Sequence, residues 1–132
     1  MKASISHKIF FVLAVVFAVC VAVQVFLAGL AIFVDPARWE SHTAFIHIFE
    51  IVPVLLLIFS FTGKMPRSLR WLSFLSVLLI VVMYATANMS ANLPAAGALH
   101  PVAALAIFWI AVMLCVRAWR LAYKTETGAA GN

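Results

Sequence analysis

Charge is what this sequence has least of. Only 10% of the 132 residues are charged, and just four are acidic: Asp35, Glu40, Glu50 and Glu126. So few carboxylates make a hydrolase built on a carboxylate pair a poor fit. Cysteine is nearly as scarce, with Cys20 and Cys115 each inside an apolar run and no CxxC or CxxCH anywhere. That excludes a vicinal redox pair, a cysteine zinc site and covalent haem attachment, and leaves both thiols as small packing residues. The five glycines form no phosphate-cradling loop, and neither HExxH nor GxSxG occurs. No run of charges resembles a voltage sensor.

What the chain does have is apolar length. At 67% hydrophobic residues it carries more apolar side chain than a soluble domain of this size can cover. The composition therefore predicts an integral membrane protein in contact with the lipid bilayer. A net charge of +5 could signal nucleic acid in a soluble chain. Here the basic residues lie in short blocks beside apolar runs, which is a topology signal and gives no nucleic-acid partner.

Four runs are long enough to span, giving helices at roughly 8–34, 36–62, 68–90 and 94–120, a short tail over 121–132, and one domain over 1–132. The first exceeds the roughly 15 residues of a signal-peptide core, so it reads as a retained helix. Ala28-Gly29 offers it a place for close helix approach. Asp35-Pro36 stops that helix and starts the next, since aspartate caps and proline suits a first turn. Pro53 should kink the second segment by freeing the carbonyl of Phe49, and Gly63 should stop it. Trp71 stands where an interfacial anchor would. Short links make neighbours antiparallel, which predicts an all-α, up-down four-helix bundle.

Counting cations by side gives Lys2, Lys8, Lys64, Arg67, Arg70, Arg117, Arg120 and Lys124 on one side and Arg38 alone on the other. The positive-inside rule then places both termini in the cytoplasm, in a bacterial inner membrane. His42, His47 and His100 gather at the outer end. His7 is left at the inner one.

Ionisable groups in spanning segments are costly and mark functional sites by default. Neutral imidazole ligates haem iron, zinc or copper, and a bundle core holds cofactors between facing helices. The apolar filling suits haem b, mostly apolar itself, better than a hydrated ion. This gives His42, His47 and His100 as candidate ligands and Arg38 as a candidate for a haem propionate. Glu50, three residues after His47, and Gln24 in the first helix are supporting polar groups.

The spacing offers two pairings. Pro36 to His42 and Pro94 to His100 both span six residues, which sets His42 level with His100. Counted from the basic end, His47 to Lys64 and His100 to Arg117 both span 17 residues, which sets His47 there instead. His42 and His47 are about 140° apart on a helix, so only one can serve a given iron. Each residue also has a plainer role: an interfacial histidine, a helix cap, a solvated arginine, or a glutamate bonded to the carbonyl that Pro53 frees.

Glu40-Ser41-His42 opening helix two and Ala98-Leu99-His100 opening helix four resemble the amino-terminal half of bacterial haem A synthases. That family has two four-helix bundles, each with histidines on its second and fourth helices near the outer face. The resemblance implies His42 and His100 as axial ligands. It covers one half-bundle, and Glu40 stands two residues before its histidine where the family's acid stands three before. The chain also looks like a family of small uncharacterised bacterial four-helix membrane proteins, which implies the fold and no reaction. The expectation is a b-type cytochrome-like protein passing electrons near the extracytoplasmic face, with a quinone or a redox partner protein. The alternative is a cofactor-free accessory or scaffold subunit, or a small transporter component.

Overall fold

A computed structural model describes residues 5–124. Lys2 of the basic head and the tail from Thr125 to Asn132 lie outside the described residues. Helix α1 runs Ile5–Phe33, a single 3-10 turn covers Pro36–Arg38, and α2 (Trp39–Phe49) and α3 (Ile51–Thr62) follow. Helix α4 covers Arg67–Met89 and α5 covers Pro94–Trp119, closing in a π-type turn over Arg120–Lys124. Helical backbone thus continues four residues into the stretch expected to be tail. Among the described residues four stretches are long and apolar enough to cross a membrane: Ile5–Phe33, Pro36–Thr62, Arg67–Met89 and Pro94–Tyr123. The protein is an all-α, up-down four-helix bundle that crosses the bilayer several times.

The ends follow local chemistry. Asp35 Oδ1 accepts from the Ala37 amide at 3.0 Å, and Pro36 supplies the fixed φ of the first turn. The second span is two helices, broken at Glu50, whose amide still donates to Ile46 O at 2.9 Å. Pro53 is the cause, because it has no N–H for the Phe49 carbonyl. Pro101 lies inside α5 without interrupting it. Gly63 ends α3 with an ordinary φ of −82°, and Lys64 takes the left-handed conformation at φ 52°. Gly63 is needed for space instead: a Cβ there would lie 2.8 Å from Met65 Cε and from Phe59 O, and 3.2 Å from Ser6 Cβ. Gly29 meets nothing within 4 Å, so the expected close approach at Ala28-Gly29 does not occur there.

The helices pack as a ring. α1 lies against α5, α5 against α4, α4 against α3, and α3 against α1. The buried stripe of α1 is Phe10, Ala14, Phe17, Val21 and Gln24, alternating steps of four and three. In α4 the stripe is Leu69, Ser73, Ser76 and Ile80. Its two serines bond back to the Leu69 and Leu72 carbonyls, both at 2.9 Å, so they carry no unmet donor and keep the interface thin. The ring is incomplete at one end. Among the described residues the backbone of α2 comes close to α1 but not to α4, while that of α3 beyond the break comes close to both. The break at Glu50 therefore leaves a gap between α2 and α4.

Candidate functional site

The gap opens onto a cavity of about 340 Å³ reached by His42, His47, His100, Gln24 and Tyr84, with an otherwise largely apolar wall. All four spans contribute. Three of the four histidines therefore meet at one site, and His7 lies at the other end of α1.

His42 and His100 are half-buried and held in the same way. His42 Nδ1 lies 3.1 Å from the backbone carbonyl of Gln24, and the Gln24 Nε2 amide donates to His42 O at 2.8 Å, a reciprocal clasp between α1 and α2. His100 Nδ1 lies 3.1 Å from the Met83 carbonyl and 3.2 Å from Thr86 Oγ1, joining α5 to α4. A backbone carbonyl only accepts, so both rings carry their proton on Nδ1. In the neutral ring each Nε2 is then a lone pair, and neither Nε2 has a partner among the described residues. An imidazole fixed through Nδ1–H to a carbonyl is the arrangement by which proteins orient a histidine ligand.

His47 is held differently. Its Nδ1 lies 3.1 Å from Tyr84 Oη, and that hydroxyl donates to Glu50 Oε2 at 2.6 Å. The phenol has one proton, which goes to the carboxylate, so His47 donates to the phenol. The result is a directed chain from His47 through Tyr84 to Glu50, with the His47 side chain 65% exposed and that of Glu50 38% exposed. The His47 and Tyr84 rings also stack, at 6.0 Å and 28°. This chain ties α2 to α4 across the gap that the backbones leave.

Gln24 adds one anomaly. Its residue is 8% exposed, yet its Oε1 is buried with no hydrogen-bond partner. A buried acceptor left unmet costs about 1–3 kcal/mol, and such groups normally have a donor nearby. Gln24 lines the cavity, so a bound group could supply one. Arg38 is exposed and outside the cavity wall, one turn before His42, while Trp39 meets the His42 ring edge-on at 5.3 Å. Among the described residues no three of His, Cys, Asp and Glu gather as a metal cluster. Two imidazoles fall short of the three or four protein ligands of a zinc centre.

Neither composition nor spacing singles out Tyr84 or Thr86. The available signal was position: with Asn88 they are the polar side chains in the last turns of an apolar span, at the end where the histidines lie.

The model of a family described as "Family of unknown function (DUF6220)" matches residues 24–91, just over half of the chain and including Gln24, His42, His47, Glu50 and Tyr84. No curated protein and no solved structure matches significantly.

Proposed function

The chain belongs to this DUF6220 family, and we propose that it is a membrane haem-binding protein, in which His42 and His100 would hold one b-type haem. The observation that carries the reading is the matched pair of half-buried imidazoles, each with Nδ1 committed to a carbonyl and Nε2 unpartnered. The cavity, about 340 Å³, lies in the range of small-molecule and cofactor sites and has the apolar walls a porphyrin wants. Arg38, exposed at the same end, is the cation for a propionate. Haem there would supply one-electron chemistry. The protein's part is to hold two rings in one tautomer, exclude water with an apolar wall, and position the His47, Tyr84 and Glu50 chain for proton movement beside the site. The cation asymmetry supports an extracytoplasmic site and cytoplasmic termini. A quinone in the bilayer or a partner protein would exchange the electron.

The test is a spectrum of the protein purified from haem-supplied cells, oxidised and then reduced. A low-spin cytochrome spectrum at near one haem per chain is expected. His42→Ala and His100→Ala should each abolish it, and His47→Ala should keep it. A featureless wild-type spectrum, with a control cytochrome from the same cells fully loaded, would overturn the reading in favour of a cofactor-free scaffold or transporter component.

A further inference from the structure

The opposite end of the bundle carries a second cavity, of about 710 Å³, where the end of α3 meets the start of α4. Three cations line it, Lys64, Arg67 and Arg70, together with Leu57, Phe61, Trp71 and Phe74. We propose that this groove binds an anionic phospholipid, with its phosphate among the three cations and an acyl chain along the apolar wall.

Among the described residues the charge is uncompensated. The acidic side chains among the described residues are Asp35, Glu40 and Glu50, none of them lining this groove. α4 begins at the groove with no capping side chain and no acidic residue in its first turn, so the positive end of its dipole adds to the same field. The cations are also partly arranged. Arg70 Nε donates to Met65 O at 2.8 Å, and its guanidinium lies 5.5 Å from the centre of the Phe61 ring. Its two Nη groups have no partner among the described residues. A guanidinium anchored through Nε keeps those donors for a phosphate, which it meets in bidentate fashion.

The apolar half of the groove selects a lipid over a free anion. Phe61, Trp71 and Phe74 are largely exposed within a membrane-spanning bundle, directly beside the cations. A tryptophan at this level sits where headgroup meets chain. Basic pockets between spanning helices are where anionic headgroups bind.

The test uses quenching of tryptophan fluorescence by brominated phosphatidylglycerol and, separately, brominated phosphatidylcholine, on the full chain in mixed micelles. The expected result is quenching by the anionic lipid at a several-fold lower mole fraction, with that selective component lost in Trp71→Phe. Removing two cations in Lys64→Gln/Arg67→Gln should raise the mole fraction required by about tenfold. Lys8→Gln/Arg120→Gln, which removes the same charge at the same end but outside the groove, should leave it unchanged. Equal quenching by the two lipids, or equal weakening in both double variants, would overturn the proposal.

Discussion

Tyr84 shows how much can hang on one hydroxyl. It accepts from His47 and donates to Glu50, and the backbones of α2 and α4 do not meet there. Tyr84→Phe removes both bonds and leaves a half-buried carboxylate without its donor, so a loss of about 1–3 kcal/mol is expected in reversible detergent unfolding. Gln24→Leu should behave differently. It gives up one bond to the His42 carbonyl but also removes an acceptor with no partner, so stability should change by about 1 kcal/mol or less. Haem uptake, read from the spectrum, should fall, because the ring keeps its bond to the Gln24 carbonyl but the His42 backbone loses its half of the clasp that fixes α2 to α1. The histidines and Glu50 were legible in the sequence because ionisable groups are conspicuous in apolar runs. Tyr84 and Thr86 were not, since both are ordinary in membrane helices. Their roles come from which helix the ring places beside them.

At the scale of an element, the second span carries the decisive irregularity. Pro53 was visible as a kink, and the freed Phe49 carbonyl follows from its missing N–H. That the outer half would part from α4 was not visible, because it depends on which neighbour each half packs against. Pro53→Ala restores a donor for Phe49 O and should join α2 and α3 into one helix. Amide hydrogen exchange around residues 49–54 should slow, and the haem proposed for the cavity should bind more weakly as α2 closes on α4. The turn after α3 gives a sharper contrast. Gly63 was legible as the stop and does end α3, yet Lys64 holds the positive φ and Gly63 holds the close contacts. Lys64→Gly should therefore stabilise by about 1 kcal/mol, while Gly63→Ala should cost about 1–3 kcal/mol through overpacking, both read from the same unfolding transition.

For the whole molecule, class and span number were legible because they rest on composition and run length, which packing does not alter. Orientation rests on where the cations lie, and it can be tested directly. In sealed right-side-out vesicles, a membrane-impermeant thiol reagent should label Arg38→Cys at once and Arg67→Cys only after permeabilisation, in a Cys20→Ala/Cys115→Ala background. The reverse pattern would turn the site to the cytoplasm. The seam between α2 and α4 has a bearing on traffic as well. The second and third spans are neighbours in the ring through α3 and α4, so an opening between their outer halves would face sideways in a bilayer, and a molecule reaching the histidines need not come from water. Arrival would then be a search in two dimensions, favouring flat, membrane-soluble compounds already concentrated in the bilayer. The Tyr84 bridge is the latch such a visitor would have to pass.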